Sequence, residues 1–408
     1  MVRTKAVPQD DGSYLLSGDK IFITGGDHDL TDNIAHLVLA KLPGAPEGAR
    51  GISLFIVPKY QIDNEGRVLT DAQGNKVRNG VDCVALEHKM GIKASPTSAL
   101  QFTKARGALV GEPNRGLNCM FTMMNDERLS MGIQGVGLAQ SSYQTAHKYA
   151  LERLQGRSAA GAEFPNQAAD PIIVHADVRR MLMTQRAWVE SGRALALYVA
   201  MALDAAEYAV DEAERNQGLA VSALMTPVAK AFLSDRGFDA CVLGQQIFGG
   251  HGYIREWGME QLVRDARIAQ IYEGTNGIQA QDLLLRKVLK DKGETARLVF
   301  AEVHDYGNQS EHPLAKKLIE AYQCLVDATD YLIDNQGKSV DLSGLNAVDY
   351  LELFGLVMSA YLLLKSTDKA ALFEQNLFEE KLETTEFMFA RLLPKAKYLS
   401  EVICTAGS

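Results

Sequence analysis

Gln270-Ile271-Tyr272-Glu273-Gly274-Thr275-Asn276-Gly277-Ile278-Gln279 sets one carboxylate beside a glycine and two residues bearing a hydroxyl or an amide, where a helix begins. Thr275 or Asn276 can cap that helix, leaving its first N–H groups free to face a phosphate or a carbonyl. A carboxylate at such a junction can remove a proton once burial raises its pKa toward neutrality. Taken alone, Glu-Gly-Thr reads equally as a capping loop with an incidental acid. Upstream lie Gln246-Ile247-Phe248-Gly249-Gly250-His251-Gly252-Tyr253 and Leu262-Val263-Arg264-Asp265-Ala266-Arg267. Paired glycines after a helix let backbone approach a ligand closely. In isolation they also read as a plain helix C-cap.

The 408 residues suffice for two or three domains and a sizeable core. A content of 47% hydrophobic and 23% charged residues is that of an ordinary globular protein. The net charge of -9, with no basic stripe, argues against nucleic acid as a partner. The five cysteines (Cys83, Cys119, Cys241, Cys324, Cys404) form no C-x-x-C pair, so a reducing cytoplasm is the expected location. The eight histidines lack metal-ligand spacing, and no metal site is expected. The longest uncharged apolar runs, 194–203 and 353–364, fall short of the roughly 20 residues of a spanning helix. Both read as core helices, and no membrane span is expected. The polar Gln9-Asp10-Asp11 after Arg3 and Lys5 does not read as a signal peptide.

Residues 1–110 read as β. Short branched and aromatic runs at 4–7, 14–17, 21–24, 36–40, 52–57, 83–88 and 99–103 alternate with turns. Asp10-Asp11-Gly12-Ser13 and Gly18-Asp19 are hairpin signals, predicting a small antiparallel barrel or sandwich. Over 111–291 helical spacing takes over, at 117–153, 174–210, 219–247, 257–268 and 276–291. Val174, Val178, Met181, Leu182, Trp188 and Val189 form one stripe, and an antiparallel bundle follows. A loop at 156–170 separates the first two helices. The final region, 292–408, predicts helices at 295–334, 347–366 and 374–393, with a turn at Asn335-Gln336-Gly337-Lys338-Ser339. It lacks clustered acids, bases or glycines, so it carries packing rather than chemistry. The fold class is α+β.

In combination and in this order, the glycine-rich run, the Leu262–Arg267 stretch and the Glu-Gly-Thr turn resemble the acyl-CoA dehydrogenase family of FAD-dependent flavoproteins. Further matches are spread along the chain. Lys20-Ile21-Phe22-Ile23-Thr24-Gly25-Gly26 resembles the flavin-facing strand, where an aromatic packs on the isoalloxazine and a threonine bonds its N5 region. The family most often has tryptophan at Phe22. Lys89-Met90-Gly91-Ile92-Lys93-Ala94-Ser95 with Ala99-Leu100-Gln101-Phe102 resembles the late strands of the β domain. Asn125-Asp126-Glu127-Arg128 with Gly135-Val136-Gly137-Leu138-Ala139-Gln140 resembles the helix that meets the CoA chain, although the family often has aspartate at Asn125. Arg153-Leu154-Gln155-Gly156 resembles the segment that reaches an FAD pyrophosphate, without the family's usual phenylalanine. Arg153, Gln246 and Gly250 match residues that reach a neighbour's FAD, which implies a homodimer or homotetramer, and Gly249 would also contact the cofactor. The resemblance covers about 1–290. Residues 293–408 are similar, in length and placement, to the C-terminal helical extension of the branch that includes the methylthiopropionyl-CoA dehydrogenases.

The resemblance implies α,β-dehydrogenation of an acyl-CoA to the trans-2-enoyl-CoA. Glu273 would be the base for the α-proton, with hydride moving to flavin N5. Tyr272 and Gly274, like Asn125 and Arg128, would meet substrate, and Thr275 and Asn276 would contact the flavin. Glu127 sits where a minority of the family keeps its base and is the runner-up. An electron-transfer flavoprotein is the expected acceptor. The family's N-terminal helical domain has no counterpart here, so an N-terminally truncated chain is expected. A catalytically inert scaffold and an acyl-CoA oxidase stay open as alternatives.

Overall fold

A computed structural model describes residues 2–337 and 340–405. Lys338 and Ser339, in the expected turn, lie outside the described residues. The chain divides into two compact units, Met1–Asp126 and Glu127–Ser408.

The first unit contains strands β1 (Lys5–Pro8), β2 (Tyr14–Thr24), β3 (Ala35–Lys41), β4 (Ile52–Pro58), β5 (Val81–Leu86) and β6 (Thr97–Val110). Their order is β2-β1-β3-β4-β6-β5, and β2 also pairs with β6, so the ring of pairings closes into a small barrel. The strands of that ring lose the open edges that invite pairing with other chains, and β5 stays an edge strand, paired with β6 alone among the named strands. The β1–β3 pairing, at Lys5↔Lys41, is parallel and the other pairings are antiparallel. Side chains at alternate strand positions fill the interior, among them Leu16, Val38, Ala40, Phe55, Val57, Leu100 and Phe102.

The hairpin at Asp10–Ser13 forms as expected, with Gly12 at φ +81° and the Gln9 N–H donating to the Ser13 carbonyl. Gly18-Asp19 is not a turn. The runs expected at 14–17 and 21–24 are the single strand β2, and Gly18 marks a shift in its register against β6. A Cβ at Gly18 would stand 2.8 Å from the Thr4 Cα, so this glycine makes room at a bulge.

The helices are α1 (Gly116–Glu152), α2 (Ala176–Tyr208), α3 (Glu212–Ile247), α4 (Met259–Arg267), α5 (Asn276–Gln281), α6 (Glu294–Gln309), α7 (Ala315–Asp334), α8 (Val340–Ala370), α9 (Gln375–Phe387) and α10 (Lys395–Thr405). α5 runs on into a π-helical turn, Asp282–Val288, and α9 into another, Met388–Leu392. The second unit centres on α3, which packs along α2 and is buried on nearly every face over 221–234. Its first two turns are polar, so hydrophobic spacing misses them. The cap is legible, since the Asp211 side chain accepts from the Ala213 N–H.

Where α1 crosses α3, backbones nearly touch: a Cβ at Gly135 would lie 2.5 Å from the Leu233 carbonyl oxygen. The stretch expected as one helix at 295–334 breaks into α6 and α7 around Pro313, which cannot continue a helix from the residue before it. Leu342–Ala370 of α8 is, against expectation, long and apolar enough to cross a membrane. Of its most apolar window 83% is buried inside the fold, which makes it a core helix. Residues on both sides of position 292 share that core, including Phe232, Leu283, Phe300, Leu325 and Phe354.

Candidate active site

Beyond α4, a short 3-10 turn (Ile268–Gln270) delivers the chain to a reversal at Glu273 and Gly274, with φ of +53° and +84°. Glycine adopts the left-handed region freely, but a residue with a Cβ pays on the order of 1 kcal/mol there. Thr275 caps α5 as expected, its Oγ1 accepting the Ile278 N–H at 3.4 Å. Among the described residues, the backbone N–H groups of Glu273, Gly274 and Thr275 donate to no protein acceptor. The turn therefore offers a half-buried carboxylate together with a run of unspent donors.

The reversal is held from α3. Lys230, 0% exposed, donates from Nζ to the Gly274 carbonyl at 2.8 Å and to Asn276 Oδ1 at 2.8 Å. Asn276 Nδ2 donates to Asp235 Oδ1 at 2.7 Å, to Ser234 Oγ at 3.0 Å and to the Ala231 carbonyl at 3.2 Å. Gln270 Nε2 reaches the same Asp235 oxygen at 2.6 Å, and Gln279 Nε2 donates to the Glu273 carbonyl at 3.0 Å. The Asn276 carboxamide is thus engaged with α3. Burial pulls the Lys230 pKa down to about 8; the Asp235 and Glu273 carboxylates pull it upward and Arg128 pushes it down.

Tyr272 donates its hydroxyl to Gln134 Oε1 on α1. Burial raises the Tyr272 pKa, the Gln134 bond lowers it, and the charges of Glu273 and Glu127 raise it further. Both candidate bases therefore act on one phenol, Glu273 from a half-buried position and Glu127 from an exposed one. Arg128 lies 3.8 Å from Asp282 in the π-helical turn that follows α5. Asn125, in the first unit, is exposed.

A second cluster forms at the end of α3. A groove of about 530 Å³ is lined by Arg153, Gln155, Gly249 and Gly250, four residues the sequence singled out, together with Tyr149, His175, Phe248 and His251. Gln246 is exposed on the last turn of α3 and is not among the lining residues. Tyr149 stacks on Phe248 with ring centres 3.9 Å apart, and its hydroxyl shares a 2.9 Å hydrogen bond with His251 Nδ1. His251 stacks on Trp257 at 4.5 Å. Among the described residues Arg153 has no carboxylate partner; its guanidinium donates to Gln155 Oε1 at 3.3 Å. Nothing lies within 4 Å of a Cβ built on Gly249 or Gly250, so backbone and cation are both open to an anion. About 18 Å of α3 separates Asp235, under the turn, from Ile247, in the groove.

In the barrel, Phe22 stands at φ +60° at a second register shift of β2, with 68% of its surface exposed. Thr24 is exposed at the end of the same strand. A large exposed aromatic on a strained residue is a feature that packing alone does not explain.

Comparison with known proteins supplies the family. The sequence model described as "Acyl-CoA dehydrogenase, C-terminal domain" matches residues 114–287, and "Acetyl-CoA dehydrogenase C-terminal like" matches 295–408. A broad-specificity linear acyl-CoA dehydrogenase of Mycobacterium tuberculosis, FadE5, is 36% identical over 99% of this chain and 69% of its own length. The chain belongs to the acyl-CoA dehydrogenase family. The 3-methylmercaptopropionyl-CoA dehydrogenase of Ruegeria pomeroyi is 46% identical over 87% of this chain, a match spanning 59% of that relative. The fold is also that of an acyl-CoA dehydrogenase from Bacillus anthracis solved with FAD, with a TM-score of 0.78 at 23% identity, covering 100% of this chain and 66% of that one.

Within this family fold, the site includes residues that motif reading passed over. Lys230 is the one charge in the run Met225-Thr226-Pro227-Val228-Ala229-Lys230-Ala231-Phe232-Leu233, and a lysine among core residues is itself a signal. Gln134 and Asp282 carried no such mark.

Proposed function

We propose that the protein dehydrogenates an acyl-CoA thioester to the trans-2-enoyl-CoA, with FAD as cofactor and Glu273 as base. The observation that carries this reading is the Glu273 turn: a half-buried carboxylate on a left-handed residue, anchored by Lys230 and carrying three N–H groups that have no protein acceptor among the described residues. A thioester α-C–H is a weak acid, so its carbonyl needs hydrogen bonds aimed at the charge that develops on oxygen. The Glu273 N–H is available for that, while the carboxylate of the same residue takes the α-proton. One residue thus addresses both the acid and the oxygen it conjugates with. Substrate binding expels water, which strengthens the charge interactions left inside.

FAD, when bound, accepts the hydride that leaves Cβ while the α-proton leaves Cα and the double bond forms between them. Arg153, Gln155, Gly249 and Gly250 are the residues proposed to hold its diphosphate, with Gln246 beside them. The guanidinium, which among the described residues has no carboxylate partner, and the open glycine backbone fit such a group. Phe22 and Thr24 are the proposed isoalloxazine contacts of the barrel, and Thr275 that of the turn. By the family's pattern the groove serves the cofactor of a neighbouring subunit, so a homodimer or homotetramer is proposed, as is an electron-transfer flavoprotein as acceptor.

Glu127 is the second candidate base, favoured by its charge acting on the same Tyr272 hydroxyl as that of Glu273. The test of the overall reaction is an acyl-CoA panel with a dye acceptor, run on the protein expressed from its whole reading frame. The panel includes straight chains and a thioether-bearing propionyl thioester, in view of the Ruegeria relative. Dye reduction matched by trans-2-enoyl-CoA is expected. FAD-loaded protein that turns over no member would overturn the reading.

A further inference from the structure

Lys230 is an expensive residue where it stands. A buried ammonium costs several kcal/mol unless it is paired and hydrogen-bonded. Among the described residues no carboxylate lies within ion-pair distance of its Nζ, whose two hydrogen-bond acceptors are neutral oxygens. Methionine has nearly the same length and shape and would fill this part of α3 without that cost. The amine is therefore not explained by packing. What it touches is the backbone immediately after Glu273 and the side chain one residue beyond the cap.

We propose that Lys230 is a positioning residue for the reaction, its ammonium holding the Gly274 carbonyl and the Asn276 carboxamide so that Glu273 is presented to the substrate in its left-handed conformation. The proposal rests on Glu273 being the base. The two hydrogen bonds fix a reversal whose first residue is strained at φ +53°. The charged groups acting on Lys230 are Asp235 and Glu273, which favour the ammonium, and Arg128, which opposes it. The geometry also explains why Asn276, an acceptor for Lys230 and a donor to Asp235, follows the capping Thr275.

The test is Lys230→Met in the FAD-loaded protein expressed from its whole reading frame, with Glu273→Gln measured alongside. In Lys230→Met, kcat is expected to fall about 10- to 100-fold, the scale set by a misplaced catalytic group, with KM within about twofold. A lysine that merely stabilises the fold would leave kcat of the folded, FAD-loaded variant at the wild-type value. Wild-type kcat in that variant overturns the proposal, as does a loss confined to KM. If Lys230→Met does not fold, Lys230→Gln, neutral but able to donate one bond, is read by the same kcat and KM. Full activity in Glu273→Gln instead overturns the base assignment on which the proposal rests.

Discussion

Gly274 and Gly277 are three residues apart in one motif and serve different needs. Gly274 stands at φ +84°, and a Cβ there would lie 2.7 Å from Gln279 Nε2, which is already committed to the Glu273 carbonyl. Gly274→Ala is expected to cost about 1–2 kcal/mol through left-handed strain alone. Gly277 lies within α5 with nothing near an added Cβ, so Gly277→Ala is expected to stabilise by about 0.5–1 kcal/mol. Urea unfolding of the two variants checks the pair, and equal effects would contradict the assignment of the turn. At this scale the sequence was informative about the residues in the motif and silent about what anchors them. The capping role of Thr275 follows from neighbours on the chain. The bond from Lys230 to Gly274 joins residues 44 apart and depends on where α3 runs.

At the scale of elements, α1 and α3 meet backbone to backbone at Gly135 and Gly237, where a Cβ on either would lie 2.5 Å from a carbonyl oxygen of the other helix. Gly135→Ala is expected to destabilise by about 1–3 kcal/mol, as overpacked contacts do, whereas Gly137, with open space, should tolerate the change. Both Gly135 and Gly137 lie in the segment that resembles the helix meeting the CoA chain, and of the two Gly135 is the spacer against α3. The loop 156–170 is organised by Asp170. Its buried carboxylate accepts the N–H groups of Phe164, Ser158 and Glu163 and a bond from Arg157.

Burial raises the Asp170 pKa, but these donors outweigh it and hold the group down to about 2, against an ordinary 3.8. A lowered folded-state pKa means that the contribution to stability is present above pH 4 and is lost as pH falls from 4 toward 2. Pepsin cleavage within the loop is expected to rise over that window. In Asp170→Asn cleavage should be high throughout that window, and an unchanged profile in that variant would contradict the role given to Asp170. None of this was legible in a run that reads only as Ala-, Gly- and Pro-rich. Helix α3 was partly legible for a related reason. Its core turns are apolar all round and its first turns polar, so neither part shows the one-sided stripe that marks a surface helix.

For the whole molecule, the sequence carried the order of the architecture, strands first and helices after, because the change of period from two to 3.6 needs no tertiary knowledge. Barrel closure through β2–β6 pairing was beyond it, since closure depends on register between segments about 80 residues apart. The two site clusters, the Glu273 turn and the Arg153 groove, both belong to the second unit and share α3 as their support. Glu273, and not Glu127, is the proposed acceptor of the α-proton. Anaerobic mixing of an acyl-CoA with FAD-loaded Glu273→Gln and with Glu127→Gln separates the two. The expected result is that Glu273→Gln binds the thioester but leaves the flavin absorbance unbleached, while Glu127→Gln bleaches at close to the wild-type rate. Full, rapid bleaching in Glu273→Gln would contradict it.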